Sequence, residues 1–410
     1  MITEIKIRNF KSVKKLDFSL GKFNVFIGEN GCGKSNILEA IAFGAAASAD
    51  KLDNEFLSSR GIRVTDSRLF RSAFDKNFEE PIGLGFKSEN GQSKELNFEL
   101  QHNNEFNGRW IDLNKERALI KINDTLKGIM IGEKPNSLST AEWEEIQTDL
   151  RKDKKLDDFF SLLKEIPLLR EHIKSDELSS FFEKKLKEDR IDSYLSNFKI
   201  FSPENSVLRD SPRLEKSADP LSIHGEGLFE LLQEYSLNNI DAINKIKEGL
   251  NLIDWFDDFE IVPSEGRKLI RIKDRFLDKN LDFIPQNNTN EGFLFLLFYL
   301  ALYVSKDTPR FFAIDNIEAS FHPILCKRLT KVLVEFSKQD EGKQSIVTTH
   351  NPFILDGLDL NDPDQRLFVV YRNRNGETKL QRVEPAERSY ELSHGWMNGY
   401  LGGVPSHFTS

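Results

Sequence analysis

The chain has 410 residues, room for one large domain with an insertion or for two ordinary domains. Its apolar share of 39% can fill a sizeable core, and a formal charge of −9 argues against a general nucleic-acid coat while leaving room for a local basic groove. Two cysteines occur, Cys32 and Cys326, and a disulfide at Cys32 would block the Gly-rich loop around it, so a reducing, cytoplasmic setting fits best.

Met1 to Glu4 lacks the basic segment and apolar run of a signal peptide. Glu4 to Phe10 alternates polar and apolar residues, a strand pattern, and Lys15 to Leu20 repeats it. Lys6, Arg8, Lys11, Lys14 and Lys15 make this stretch basic; they read equally as solvated strand edges or as phosphate contacts. Phe23 to Ile27 is denser in apolar residues and predicts a central strand, followed by a Gly-rich loop and a helix from Ser35 to Ala47. From about Pro81 to Leu113 the pattern predicts antiparallel strands, with a turn at Glu89-Asn90-Gly91. Ser139 and Glu142 have capping-box spacing, and short helical faces run on to Arg190, broken at Pro167. No heptad run is sustained, so a short helical insertion is expected and no long coiled coil.

A strand is predicted at Phe198 to Phe201, then a Pro- and Ser-rich link, helices at Gly227–Tyr235 and Ile240–Leu250, and a hairpin at Phe259–Ile272. Phe293 to Val304 is the most apolar stretch; it is shorter than the ~20 residues of a membrane span and reads as a buried helix, so no membrane partner is expected. A strand at Arg310–Ile314, a helix at Pro323–Ser337 and a strand at Ser345–Thr348 complete the pattern, an α/β sheet with helices on its faces.

The chemistry concentrates in three places. Gly28-Glu29-Asn30-Gly31-Cys32-Gly33-Lys34-Ser35 satisfies the P-loop pattern, with the required strand before it and helix after it. Glycines let backbone amides curl around phosphate oxygens, Lys34 neutralises the β- and γ-phosphates of ATP, and Ser35 offers a hydroxyl to Mg²⁺. Asn36, in the first turn of that helix, joins the nucleotide-binding set. Phe311 to Ile314 followed by Asp315 supplies the acid that a P-loop needs for its metal. His350 ends a predicted strand downstream, where a γ-phosphate sensor belongs in an α/β sheet.

Taken together, Ile5-Lys6-Ile7-Arg8-Asn9-Phe10-Lys11-Ser12, the Gly28–Ser35 loop, Asp315 with Glu318 and His322-Pro323 behind it, and Thr349-His350 resemble ABC-type ATPase heads. The resemblance is to the RecF/SMC-like group, in particular to OLD-type and related anti-phage defence ATPases. It covers Met1 to about Ala47 and about Asn287 onwards, and the middle resembles the variable insertion of that group.

The resemblance implies an ABC-type head with a mixed sheet, an antiparallel β subdomain and a helical insertion. It also implies head-to-head homodimers or higher oligomers that sandwich ATP and Mg²⁺. Asn290-Glu291-Gly292 stands where a signature segment would close on the partner's nucleotide, with Asn290 in place of the usual serine. Ala319 to His322 would contact the second head, and His350 would be the switch histidine. Gln101 is a candidate for the glutamine loop.

One departure matters. The group's catalytic glutamate directly follows the metal-binding aspartate, and Asn316 stands there. An amide cannot take the proton of an attacking water. Glu318 serves instead, or hydrolysis is slow and ATP acts as dimer glue, or a partner completes the site.

Other candidates are weaker. Asp356, Asp359, Asp362 and Asp364 read as a solvated loop with turn caps, and only 60 residues follow His350, so the separate nuclease domain of OLD-type proteins does not fit. His224-Gly225-Glu226-Gly227 reads as a turn entering a helix, and Asn287-Asn288-Thr289 as a sequon without a secretory context.

The expected division is an N-terminal lobe at 1–133, a helical insertion at 134–195 and the rest of the head at 196–410. The expected function is an ATPase that controls a separate effector, a nuclease or toxin, in phage defence. The competing reading is a RecF-like clamp that grips DNA when ATP is bound, and a third is a nucleotide sensor that never hydrolyses.

Overall fold

The computed structural model describes residues 1–72, 80–90, 92–105, 108–117, 193–210, 220–264, 267–278, 283–339, 342–386 and 389–402. The insertion expected at 134–195 lies almost wholly outside the described residues, as does the capping box at Ser139.

A six-stranded sheet, in the order β14-β13-β3-β12-β11-β7, forms the centre. Its strands are β3 (Phe23–Ile27), β7 (Ile200–Phe201), β11 (Phe311–Ile314), β12 (Gln344–Thr348), β13 (Gln365–Arg372) and β14 (Thr378–Arg382). All neighbours run parallel except the edge pair β13 and β14. β3, β11 and β12 are buried at every position; β11 reads as an unbroken apolar run, whereas the buried polar groups of Asn24 on β3 and of Gln344 and Ser345 on β12 are held by hydrogen bonds.

Side chains leave this sheet alternately toward two cores. Val25, Ile27, Phe312, Ile314, Val347, Leu367 and Val369 enter one. Phe26, Phe311, Ala313, Ile346, Phe368 and Val370 enter the other. The second core is roofed by helix α1 (Lys34–Ser48) and by an antiparallel sheet in the order β2-β1-β4-β5-β6. That sheet consists of β1 (Ile2–Phe10), β2 (Val13–Ser19), β4 (Ile82–Asn90), β5 (Gln92–His102) and β6 (Trp110–Asp112). On β1 only Ile5 and Ile7 of the central alternation turn inward, so the polar residues between them face solvent.

The first core is packed by helices α2 (Leu228–Asn238), α3 (Ile240–Leu250), α4 (Glu291–Val304) and α5 (Pro323–Lys338). α4 is apolar all round and every residue from Phe293 to Tyr303 is buried, as a helix enclosed on all sides requires. Among the described residues no helix is long and apolar enough to cross a membrane. A small sheet of β8 (Phe256–Ser264), β9 (Arg267–Asp274) and β10 (Ile284–Pro285) flanks these helices. It begins three residues before the expected hairpin and gains a third strand. The hairpin β13–β14 was not anticipated at all from the sequence, and it lies directly beside β3.

Candidate functional site

Because β3, β12 and β11 are parallel neighbours, the segments that follow them leave one edge of the sheet. These are the Gly28–Ser35 loop, Thr349-His350 and Asp315. The sequence separates Lys34 from Asp315 widely, and sheet order reunites them.

The loop is shaped from behind. A Cβ on Gly33 would stand 2.1 Å from Thr378 Oγ1, and one on Gly28 would stand 2.1 Å from the Val370 carbonyl oxygen, so both positions press on β13–β14. Both also have positive φ, 147° at Gly28 and 109° at Gly33, which side chains resist. Glu29, Asn30 and Gly31 are exposed, and nothing lies within 4 Å of the Cβ direction at Gly31. Arg372 Nε donates to the Gly31 carbonyl at 2.9 Å, and Thr378 Oγ1 donates to the Cys32 carbonyl at 2.8 Å. The Thr378 hydroxyl is also 2.7 Å from Ser12 Oγ, which accepts from Asn36 Nδ2 at 2.6 Å. The Asn36 amide is therefore engaged in bracing the loop.

α1 starts at Lys34 with no side-chain cap and no acid in its first turn. Its first N–H groups therefore point at an anion-binding position. Lys34 is 6% exposed, and its Nζ donates to the Gly28 carbonyl at 2.9 Å and the Glu29 carbonyl at 3.1 Å. Burial lowers the pKa of its ammonium, while Cys32, Asp315 and Glu318 act to restore it. Burial likewise raises the Cys32 thiol, against the pull of Lys34, so the sulfur stays protonated.

Ser35 Oγ donates to Asp315 Oδ2 at 3.1 Å. The other Asp315 oxygen accepts from Thr348 Oγ1, which in turn accepts from the Asn316 amide N–H at 2.9 Å. Hydroxyl and carboxylate oxygens are ligands for a hard cation such as Mg²⁺. Among the described residues no group of three or more His, Cys, Asp or Glu could hold a metal. An uncapped helix start, an inward lysine and a lone carboxylate–hydroxyl pair fit ATP with magnesium.

Asn316 is exposed, with φ of 57° in the left-handed region. Glu318 is half-buried, and its Oε1 accepts from the His350 amide N–H at 2.7 Å. His350 is exposed as a residue, but desolvation of its ring, with the charge of Lys34 second, lowers its pKa against Glu318 and Asp315. The imidazole is thus neutral at pH 7 and able to act as a hydrogen-bond donor.

Asn290 is exposed and caps α4, its Oδ1 accepting from the Phe293 N–H at 2.8 Å. Gly292 packs against the turn after Asp315, where a Cβ would come 3.1 Å from the Ser320 carbonyl oxygen. Ala319 to Phe321 form that turn, with N–H groups of Ala319 and Phe321 donating to Asn316 and Glu318 carbonyls. His322 caps α5, its Nδ1 accepting from the Ile324 N–H at 3.3 Å. Gln101 sits on β5 opposite Ile111 of the edge strand β6, in the antiparallel sheet.

The acidic cluster holds turns and pairs. Asp362 accepts from Lys338 and Gln365, Asp364 pairs with Lys22, Asp359 caps Asn361 and Asp356 accepts from the Ser393 N–H. The His224–Gly227 stretch is a turn with positive φ at both glycines, leading into α2. Of the basic opening residues, Lys11 pairs with the buried Glu39 of α1, which Arg63 also meets at 2.6 Å.

Sequence reasoning missed Thr348, Thr378, Arg372 and Glu39. The Leu367–Tyr371 apolar run before the Asn375-Gly376 turn is the sequence signal for the hairpin whose two strands carry Arg372 and Thr378.

The chain is 35% identical over 97 residues to the DNA replication and repair protein RecF of Bacillus thuringiensis (strain Al Hakam), a match that covers 23% of this chain and 22% of the relative. The chain thus spans about a fifth of the length of the curated relatives it matches. Among solved structures, an SMC head bound to the C-terminal winged-helix domain of ScpA superposes with a TM-score of 0.53 at 14% identity, covering 93% of this chain and 97% of that one. That likeness shows the fold of an ABC-type head. The family described as "AAA domain, putative AbiEii toxin, Type IV TA system" matches residues 23–356, from the first residue of β3 past His350. The chain belongs to this AAA-domain family and is an ATP-binding P-loop ATPase with the RecF/SMC-like, ABC-type head fold.

Proposed function

We propose that this head hydrolyses ATP slowly with magnesium, and that ATP closes two copies face to face, a state that controls a separate effector, a nuclease or toxin, in anti-phage defence. The observation that carries the reading is the meeting of Lys34, Ser35, Asp315, Glu318 and His350 at one sheet edge, with an amide at 316. Lys34 and the start of α1 would hold the β- and γ-phosphates, and Ser35 and Asp315 would hold magnesium, which neutralises charge developing on the transferred group. Glu318 interacts electrostatically with Lys34 and His350, and is the carboxylate that would take the proton of an attacking water. Asn290 Nδ2 and the backbone at Gly292 would meet the γ-phosphate held by the second head. The family description, which names a toxin of a toxin–antitoxin system, supports a protein partner, as does the ScpA domain on the related SMC head. The division into 1–133, a helical insertion at 134–195 and 196–410 is part of the same proposal.

The test is ATP turnover beside light scattering of the purified chain, with and without ATP and Mg²⁺, for the wild type, Lys34→Ala and Glu318→Gln. Measurable turnover and an ATP-dependent dimer, both lost in Lys34→Ala, with turnover alone lost in Glu318→Gln, is the expected result. A chain that stays monomeric with bound ATP defeats the dimer reading.

The similarity to RecF favours a second reading, a clamp on DNA. It calls for DNA affinity that appears only with ATP and falls steeply as salt rises.

A further inference from the structure

Two enclosed oxygens of opposite hydrogen-bonding character lie without a partner among the described residues beside this site. One is Glu318 Oε2, an acceptor, and the other is the hydroxyl of Tyr299, a donor. Tyr299 is fully buried on α4, about two and a half turns beyond Asn290. Its ring centroid is 6.1 Å from that of Phe321, whose N–H donates to the Glu318 carbonyl at 3.1 Å. The large majority of buried side-chain polar atoms are paired, directly or through an ordered water. A lone donor and a lone acceptor, linked through Phe321, are the two ends that one ordered water can satisfy together.

We infer that one ordered water bridges the Tyr299 hydroxyl to Glu318 Oε2, so that α4 sets the orientation of the carboxylate whose other oxygen holds the His350 backbone. The inference rests on the reading of Glu318 as the hydrolytic base. Burial first, and Glu318 second, push the phenol up, so Tyr299 keeps its proton and remains a donor. Tyr299 is a positioning residue, since it acts through Glu318. The consequence is a mechanical link. The first turn of α4 carries Asn290 and Gly292, and Gly292 leans on the Ser320 carbonyl two residues past Glu318. A ligand that pulls on Asn290–Gly292 moves one helix, and that helix holds the base.

The experiment follows hydrolysis of bound ATP in a single turnover, and affinity for a fluorescent ATP analogue, in the wild type, Tyr299→Phe, Glu318→Gln and the double variant. Tyr299→Phe keeps the ring volume, and its near-ultraviolet circular dichroism reports whether the core is intact. The expected result is hydrolysis slowed at least about tenfold in Tyr299→Phe with affinity changed less than about twofold, and a double variant no slower than Glu318→Gln. Wild-type hydrolysis in Tyr299→Phe, or losses that multiply in the double variant, overturns the link. A wild type that binds ATP without hydrolysing it defeats Glu318 as base instead. The pair is then read from urea midpoints with Glu318→Ala, because the amide oxygen of Gln would still accept: a Tyr299→Phe, Glu318→Ala double variant no less stable than Glu318→Ala sustains the link, and independent losses overturn it.

Discussion

The left-handed backbone at Asn316 accounts for its side chain better than chemistry alone does. With φ of 57°, this position favours Asn over Glu, because a short amide tolerates the region and a longer side chain resists it. The turn that Asn316 makes, locked by its N–H on Thr348 and its carbonyl on Ala319, is what places Glu318 against His350. Asn316→Glu is expected to cost about 1 kcal/mol of stability. It is also expected to raise ATP turnover by at least about tenfold, by adding a carboxylate that can take a proton directly after Asp315. Unchanged turnover, measured beside a urea melt, would mean that Glu318 already does the work. At this scale the sequence was legible where function is local: eight consecutive residues define the P-loop. Thr348 was illegible because its role exists only once β11 and β12 lie side by side. Glu39 was illegible because a glutamate in a helix reads as solvent-facing, whereas here it is 2% exposed and held by two cations.

Among the elements, the hairpin β13–β14 does the most that the sequence reading overlooked. β13 pairs with β3 from Phe23 to Ile27, and the two strands brace the P-loop through Val370, Arg372 and Thr378. Thr378→Val keeps the shape and removes the hydroxyl shared with Ser12 and the Cys32 carbonyl. Leaving those buried groups unpaired costs about 1–3 kcal/mol. The expected outcome is weaker ATP binding by about tenfold in a fluorescent-nucleotide titration. Unaltered affinity would mean that the loop holds its shape unaided. Elsewhere local pattern sufficed: Ile240–Leu250 matches residue for residue, and the fully apolar α4 could only be an enclosed helix.

At the scale of the whole molecule, the two cores and the parallel central sheet follow from the strand–loop–helix pattern, whereas the order of strands does not. Far from the nucleotide edge, at the opposite end of β12, Lys343 is enclosed, donating to the Thr308 carbonyl and hydroxyl and to the Pro309 carbonyl at 2.7–3.2 Å. Burial pushes it down to about 7, with Arg310 adding to the shift and Asp307 opposing it. The unfolded chain binds this proton up to the ordinary value of 10.5, so between about 7 and 10.5 the unfolded state carries more protons. Stability from this group therefore rises with pH across that window and is flat below it. Urea melts at several pH values should show the rise in the wild type and its loss in Lys343→Met; parallel pH profiles would refute it.

The position of β3 also bears on how the protein is made. Asn24 of β3 bonds to Ser345 of β12, 321 residues away, and the other neighbour of β3 is synthesised later still. On a ribosome adding about 5–20 residues each second, the strand that carries the P-loop waits on the order of tens of seconds with both edges bare. Nascent chains halted before β12 should therefore bind no ATP, and should need a chaperone to guard Phe23 to Ile27 until their neighbours arrive.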